Sequence, residues 1–150
     1  MTAFYGKHTS KLDDKGRLVF PKAFKEAMPE GSDMEFVVRK DIFVPCLEIY
    51  PRDEWERQVA DVRSRLNFFN VEHAMFWRAY MQNCVPVKPD EKFGRITISK
   101  ELLELIGVTK EVEFVGNGFK IEVWAKENYE SSKISNEQFI AIAGKLPDAR

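Results

Sequence analysis

One short phrase occurs twice in this chain, and the repetition restricts the possible folds more than any other feature. The segment LDDKGRLVFP begins at Leu12, and a reworded copy, DEKFGRITIS, begins at Asp90. A second pair of segments follows in the same order, LEIYPRDEWE from Leu47 and IEVWAKENYE from Ile121. Two matched segments in the same order indicate an internal duplication. Because two copies are too few for a solenoid, we expect them to complete one shared structure.

Length and composition favour a single folded unit. The chain has 150 residues, of which 44% are hydrophobic, and this suffices for one ordinary domain or for two small units with a common core. We predict one domain over residues 1–130, built from repeats at about 5–56 and 84–130 that are linked by helices within 57–83. In this interpretation residues 131–150 form a variable C-terminal tail.

Each copy has the pattern of two strands, a short helix and a further strand pair, which predicts the α+β class. Leu18 and Phe20 alternate with outward-facing residues, as expected for a strand with one buried face. Pro21 suits the first turn of a following helix. In the second copy Ser99 suits the N-cap of the matching helix, and Gly107 suits its C-terminal end.

The segment between the copies predicts two helices. Trp55, Val59, Val62 and Leu66 recur at the spacing of one helix face. The segment VEHAMFWRAYM, which begins at Val71, predicts a second and more buried helix. Its aromatic residues suit a core helix better than a platform for stacking nucleobases, because they have core-like periodicity and few basic neighbours.

The charge distribution indicates an anionic partner with a defined position. The formal net charge is only −1, which is unlike a non-specific nucleic-acid binder. Between Lys7 and Lys25, however, six basic residues stand against two acidic ones, so the rest of the chain is net acidic. An acidic body with one basic segment fits a specifically placed polyanion.

Several other classes of protein are not indicated. No apolar run approaches the ~20 residues that cross a bilayer, and the N-terminal segment lacks a signal-peptide pattern, so we expect no membrane association and a cytoplasmic address. Cys46 and Cys84 are expected to be reduced, buried thiols. His8 and His73 have no metal-binding spacing, so neither an enzyme, a cofactor nor a metal site is predicted.

The first copy of the repeated phrase predicts a tight turn. If Asp14, Lys15 and Gly16 form a three-residue hairpin loop, Gly16 adopts the left-handed conformation at no steric cost. Asp13 and Arg17 then lie opposite one another and can pair as carboxylate and guanidinium. That pairing leaves Lys15 at the tip of the turn.

The second copy predicts a similar turn with looser pairing. Glu91 and Arg95 flank it, Gly94 provides the left-handed residue, and Lys92 and Phe93 lie at the tip. A single turn of this kind is most simply a structural staple, because an exposed ion pair contributes only ~0–1 kcal/mol. Its recurrence in both copies favours a functional role.

The segments HTSKLDDKGRLVFPKAFKE, CLEIYPRDEWE and FGRITISKELLELIGVTKEVEFVGNGFKIEVWAKENYE together resemble the MraZ family, within the AbrB-like swapped-hairpin transcription factors. One departure is Glu91, where that family usually has aspartate. The resemblance implies a pseudo-symmetric swapped-hairpin β-barrel, with short flanking helices, formed by interleaving the hairpins of the two repeats in one chain. It further implies a ring-like homo-oligomer and a nucleoid-associated regulator that binds direct DNA repeats upstream of the division and cell-wall gene cluster containing its own gene.

The resemblance also suggests which side chains bind double-stranded DNA. The candidates share a place in or beside the two turns: Lys11, Lys15, Arg17, Lys22, Lys92 and Arg95. Arg17 and Lys15 are the leading contacts, since arginine reads guanine O6 and N7 bidentately. Lys11 and Lys22 suit phosphates. The basic pair of the second turn either does the same or faces a neighbouring subunit.

A protein-binding role is the alternative. Related swapped-hairpin barrels serve as antitoxins that hold a partner through a flexible tail. In the tail of this chain Phe139, Ile140 and Ile142 could dock in the groove of such a partner, or equally cover an interface between subunits of this protein.

Overall fold

The computed structural model describes residues 2–148, and its elements follow the order of the two copies. The first half contains the strands β1 (Lys7–Lys11) and β2 (Arg17–Val19), helix α1 (Lys22–Ala27), the strands β3 (Phe36–Lys40) and β4 (Cys46–Pro51), and the helices α2 (Arg52–Ser64) and α3 (Val71–Met81). The second half has β5 (Val85–Val87), β6 (Arg95–Thr97), α4 (Lys100–Leu105), β7 (Glu111–Asn117), β8 (Lys120–Ala125), α5 (Lys126–Ser132) and α6 (Asn136–Ala143). Each element of the first half therefore has a counterpart in the second.

The two halves are joined by strands that pair across the repeat boundary. β1 pairs with β7, β5 pairs with β3, and β2 pairs with β6, all in antiparallel orientation. The hairpins β3–β4 and β7–β8 meet through β4 and β8. The resulting sheet has the order β1-β7-β8-β4-β3-β5, which is unchanged when it is reversed and each strand is replaced by its counterpart. The first strand of each half thus completes the hairpin of the other half.

Two residue pairs mark the approximate two-fold axis that relates the halves. Leu18 in β2 faces Ile96 in β6, and these two residues occupy matching positions in the repeated phrase. Glu48 in β4 faces Glu122 in β8, and these residues also match in the second pair of repeated segments. Because a residue that faces its own counterpart lies on the axis, both pairs lie at the centre of the pseudo-symmetry.

The fold is mixed α/β with antiparallel sheets and six helices in residues 2–148. The α+β class is as predicted, but a closed barrel is not seen in this part of the chain. β1 and β5 remain the free edges of the six-stranded sheet. β2 and β6 form a separate two-stranded sheet because each is only three residues long and pairs only with the other.

The hydrophobic core contains aromatic side chains from both halves. Phe20, Phe24, Phe36 and Phe114 are all almost completely buried. The ring centroid of Phe20 lies 5.0 Å from that of Phe36 and 6.0 Å from that of Phe114. Since Phe114 belongs to the second half and the other three belong to the first, neither half encloses a core of its own.

The predicted ends of the short helices are confirmed where the structure shows the hydrogen bonds. The Ser99 side chain accepts a hydrogen bond from the backbone N–H of Leu102 at 3.3 Å, which caps the start of α4. Gly107 has a φ of +75° just beyond the end of α4. Pro21 lies one residue earlier than predicted, at the N-cap of α1 rather than in its first turn.

The two linking helices lie on the outer face of the sheet, and two expectations about them were wrong. α2 forms but ends at Ser64, so Leu66 of the predicted stripe lies beyond it. The Trp55 ring of α2 stacks on the Tyr80 ring of α3 with centroids 5.9 Å apart. Of the residues of α3, however, only Tyr80 is buried, while Val71, Met75 and Phe76 are exposed. An apolar composition predicted a core helix, but α3 contacts the body through one edge only.

The C-terminal helix α6 begins with a complete capping box formed by Ser135 and Gln138. Its apolar side chains Phe139, Ile140 and Ile142 are nevertheless exposed. None of the helices between residues 2 and 148 combines the length and apolar character that crossing a bilayer requires.

Candidate nucleic-acid interface

The first turn is held by the carboxylate of Asp13. Its Oδ1 accepts hydrogen bonds from the backbone N–H groups of Arg17 at 2.8 Å and of Lys15 at 2.9 Å. Its Oδ2 accepts a hydrogen bond from Nε of Arg17 at 2.8 Å. Gly16 has a φ of +78°, the left-handed conformation that the three-residue loop requires. Lys15 is exposed at the tip.

These hydrogen bonds favour the charged form of Asp13. The backbone N–H of Arg17 is the main cause that holds the pKa of the Asp13 carboxyl below its usual value, and the Arg17 side chain acts in the same direction. The carboxylate therefore stays ionised at neutral pH and continues to orient the guanidinium.

The second turn uses Asp90 in this role, so the prediction for Glu91 was wrong. Arg95 donates hydrogen bonds to Asp90 Oδ2 from its backbone N–H at 3.0 Å and from Nε at 3.3 Å. Glu91 lies inside the loop and is exposed. The physical reason is an extra residue, Phe93, which lengthens the loop, so that the hairpin closes through the Asp90 N–H bond to the Arg95 carbonyl at 2.9 Å. Gly94 keeps the expected left-handed conformation, with a φ of +66°.

Asp90 is held in its charged form still more clearly than Asp13. The backbone N–H of Phe93 donates to Asp90 Oδ1 at 2.6 Å and is the main cause that lowers the pKa of Asp90 to about 2, with further contributions from Arg95. The Arg95 guanidinium also packs on the Phe93 ring, with Cζ 4.4 Å from the ring centroid.

Both arginines keep the outer part of the guanidinium available. Asp13 and Asp90 bind only the Nε atoms, and within residues 2–148 no hydrogen bond involves the Nη atoms of Arg17 or Arg95. A guanidinium fixed at Nε presents its two Nη groups in a defined orientation, which suits bidentate binding to guanine or phosphate.

The β2–β6 pairing brings the two turns into one basic surface. In its register Arg17 faces Thr97, and Arg95 faces Val19. A groove of about 560 Å³ is consequently lined by residues from both halves. Its charged lining residues are Arg17, Lys88, Asp90, Lys92 and Arg95. The sequence predicted two turns but not that they share a groove.

A second groove of about 610 Å³ is lined by one residue of the second turn, Phe93. Lys22, Lys25 and Phe93 are among the residues that line it. Lys22 is exposed and lies 3.8 Å from Glu26. Lys11 and Lys15 are exposed but line neither groove.

Sequence reasoning missed Lys25 and Lys88 as candidate contacts. Lys25 lies at the end of the basic segment, and its amine packs over Gly94 of the second turn. Lys88 stands two residues before Asp90. The sequence indicates Lys88 as a candidate contact only when Asp90, rather than Glu91, is taken as the start of the turn.

A buried charged cluster surrounds the Glu48–Glu122 pair on the axis. The amine of Lys120 donates to Glu48, whose other carboxylate oxygen lies 3.7 Å from Nε of Arg39. Tyr50 also donates to Glu48 at 3.1 Å. Burial lowers the pKa of Lys120, but its hydrogen bond to Glu48 and the charge of Glu122 outweigh that effect and raise it. The cluster therefore stabilises two facing carboxylates by surrounding them with donors.

One group of residues near this cluster has the composition of a metal site. The ligand atoms of Asp41, Cys46 and Glu122 lie within 4.8 Å of one another. Burial raises the pKa of the Cys46 thiol, which disfavours the thiolate that a metal requires. Glu122 already accepts hydrogen bonds from Trp124 at 3.0 Å and from Asn117 at 3.2 Å. The donor set does not fit a metal ion.

A comparison with models of protein families matches this chain to the MraZ family, whose description likens these proteins to antitoxins, over residues 3–79 and 81–145. The chain belongs to the MraZ family. Its relatives include proteins named transcriptional regulator MraZ from Bacteroides thetaiotaomicron, 35% identical over 97% of this chain and 93% of that protein, and from Bacteroides fragilis, 36% identical over 97% and 92%. A third, from Acetivibrio thermocellus, is 34% identical over 95% of this chain and 96% of that protein.

The second turn of this chain follows the MraZ pattern once Asp90, rather than Glu91, is taken as the partner of Arg95. Glu91 was a departure from the aspartate expected at that position of an MraZ turn. Asp90 provides the aspartate one residue earlier, and Arg95 remains its partner. Both turns of this MraZ protein thus pair an aspartate with the Nε of an arginine.

Proposed function

We propose that this chain is a sequence-specific, double-stranded DNA-binding transcriptional regulator that acts on direct repeats upstream of the division and cell-wall gene cluster containing its own gene. The observation that carries the proposal is the pair of arginines, Arg17 and Arg95, each fixed through Nε by an aspartate and each with Nη atoms that make no hydrogen bond to residues 2–148. The names of the relatives as transcriptional regulators support the same class of function.

The two arginines provide base recognition in this proposal. A guanidinium that presents two N–H groups side by side matches O6 and N7 of guanine in the major groove, and each such contact discriminates by ~1–3 kcal/mol against a wrong base. Because Asp13 and Asp90 restrict the side chains before binding, little rotamer entropy is lost when the contacts form.

The lysines provide the phosphate contacts. Six of them surround the turns: Lys11, Lys15, Lys22, Lys25, Lys88 and Lys92. Each phosphate neutralised on B-DNA adds about −0.9 to the slope of log affinity against log salt concentration. A strongly salt-dependent affinity is therefore part of the proposal.

We further propose that the strand exchange between the halves is that of a swapped-hairpin barrel within the single domain 1–130, with residues 131–150 as a separate tail. Support comes from the palindromic strand order and from the β2–β6 crossing on the axis. In this arrangement one chain carries both DNA-binding turns.

We also propose assembly into a ring-like homo-oligomer that is cytoplasmic and nucleoid-associated. The exposed apolar side chains of α3 and of the loop before it support self-association; they include Phe69, which is fully exposed, Val71 and Met75. Several subunits that each hold one DNA repeat would gain affinity through effective concentration.

We propose no catalytic role for this protein. The contacts of its two histidines agree with this proposal. The His8 ring packs edge-on against Phe24 with centroids 5.0 Å apart. Nδ1 of His73 accepts a hydrogen bond from the backbone N–H of Asn67 at 2.8 Å. Both histidines thus have structural contacts.

The proposal is tested by fluorescence anisotropy with DNA from upstream of the protein's own gene and with a scrambled duplex, over a salt series. We expect Arg17→Ala to abolish the preference for the native duplex while the fold and oligomer size remain intact. Arg65→Ala, which removes an exposed arginine paired with Asp61 outside the turns, is the matched control and should retain the preference. Unaltered affinity of Arg17→Ala at moderate salt would contradict the proposal.

An antitoxin-like or other protein-binding role is the second candidate, and α6 is the observation that favours it. This helix is capped by its own sequence yet exposes Phe139, Ile140 and Ile142. Deletion of 131–150 separates the possibilities: loss of a heterologous partner would support the protein-binding role, and loss of oligomer size would assign the helix to the subunit interface.

A further inference from the structure

Phe93 is an exposed aromatic residue at the tip of the second turn, and the first turn has no equivalent. In the first turn the chain passes directly from Lys15 to Gly16. That turn closes through the same aspartate and glycine hydrogen bonds without an aromatic residue. Phe93 is therefore not required to build a turn of this type, and its side chain is 55% exposed.

The surroundings of Phe93 are basic on both sides. Phe93 itself lines the groove that contains Lys22, Lys25 and one acidic residue, Glu26. Its neighbours Lys92 and Arg95 line the groove that contains Arg17. An apolar ring thus stands between two cation-lined grooves, as expected for a contact to a base that is flanked by contacts to phosphates.

The Arg95 guanidinium limits how this ring can meet DNA. Its Cζ lies 4.4 Å from the ring centroid, so one ring face is already covered. If this ring were wedged between two base pairs, Arg95 would have to leave the face that it covers. The Lys92 amine also lies near this ring, 5.2 Å from its centroid, but Phe93 is still 55% exposed. The exposed part of the ring can meet an apolar group on the surface of the major groove, and the 5-methyl of thymine is the group of that kind which bases present there.

We propose that Phe93 determines specificity by contacting the 5-methyl group of a thymine in the major groove while its inner face rests on Arg95. The inference rests on the proposed DNA-binding function. It deepens that function because the two turns then differ: the second turn reads an apolar group as well as a hydrogen-bonding one.

The test is a double-mutant cycle in which the phenylalanine ring and the thymine methyl group are removed separately and together. One partner is removed by replacing thymidine with deoxyuridine in the upstream duplex, which deletes only the 5-methyl groups. The other is removed by Phe93→Ala. We expect the deoxyuridine duplex to bind wild-type protein about four-fold more weakly for each methyl contacted, and Phe93→Ala to bind both duplexes equally. Phe119→Ala, an exposed phenylalanine on the β7–β8 hairpin, is the control and should respond as wild type does.

Three results would overturn the inference in distinguishable ways. If Phe93→Ala and wild type lose the same factor on the deoxyuridine duplex, Phe93 does not contact a methyl group, although DNA binding stands. If Phe93→Ala binds both duplexes more weakly than wild type, by the same factor, and still prefers the thymidine duplex as strongly as wild type does, the role of Phe93 is only to support Arg95. If wild-type protein fails to distinguish the upstream duplex from a scrambled one, the proposed function fails and the inference with it.

Discussion

Replacing Lys120, the cation beside the axis, tests whether its amine stabilises the facing carboxylates of the buried charged cluster. Lys120→Met keeps a similar side-chain volume but leaves Glu48 facing Glu122 without the amine between the halves. The side chains of Lys120 and Glu48 are only 14% and 9% exposed, so this is a buried ion pair. Removing one partner of a buried pair costs ~3–5 kcal/mol of stability.

The remaining partners of Glu48 place the expected loss at the lower end of that range. Arg39 lies 3.7 Å from Glu48, and Tyr50 still donates a hydrogen bond to it. We therefore expect Lys120→Met to lower the free energy of unfolding by about 3 kcal/mol and Tm by about 6–12 °C. The double variant Lys120→Met with Glu48→Gln should recover only part of the loss. Residue 48 then no longer carries a charge that has lost its amine, but the buried Arg39 loses its ion pair.

Urea denaturation and thermal melting measure these changes. Lys133→Met is the control, since Lys133 pairs with Glu130 on the surface and should contribute less than about 1 kcal/mol. A loss below about 1 kcal/mol for Lys120→Met, or a double variant no more stable than the single one, would refute the reasoning that the amine compensates the facing carboxylates.

Two further predictions concern the turns. Because the pKa of Asp90 is lowered to about 2, its contribution to stability is complete above the unfolded pKa of about 3.9 and is lost as pH falls towards 2. NMR titration of the Asp90 carboxyl and acid unfolding of Asp90→Asn measure this contribution. A titration midpoint of the Asp90 carboxyl near pH 4 would contradict the prediction. Gly16→Ala should destabilise the fold by ~1–2 kcal/mol because φ is +78°, whereas alanine at Gly144, whose φ lies outside the left-handed region, is the control in chemical denaturation.

The sequence predicted those features that local chemistry determines. The duplication, the left-handed glycines of the turns and the Ser99 cap follow from residue types at fixed spacing, and the structure contains them. Glu91 was misassigned because the copies were aligned on their glycines, and a one-residue insertion inside a loop leaves that alignment intact. Only the hydrogen bonds of Asp90 reveal where the hairpin closes.

Features that depend on distant contacts could not be predicted. The shared groove arises from pairing between two three-residue strands that are far apart in sequence, and strands this short carry almost no periodic signal. The exposure of α3 depends on which edge meets Trp55, which an apolar composition does not determine. The open sheet likewise depends on β2 and β6 pairing only with each other.

The facing carboxylates on the axis have a consequence for the evolution of such a chain. In a fold assembled from two identical chains, every substitution appears twice and every axial residue meets itself. Here the position that matches Lys120 is Cys46, and the position that matches Arg39 is Val115, because Arg39 faces Glu48 and Val115 faces Glu122. Fusion has let the halves become complementary, and two copies of the first half would now bring Glu48 against Glu48 with no lysine. Neither half could fold as a homodimer of separate chains without first regaining the charged residues that only the other half now provides.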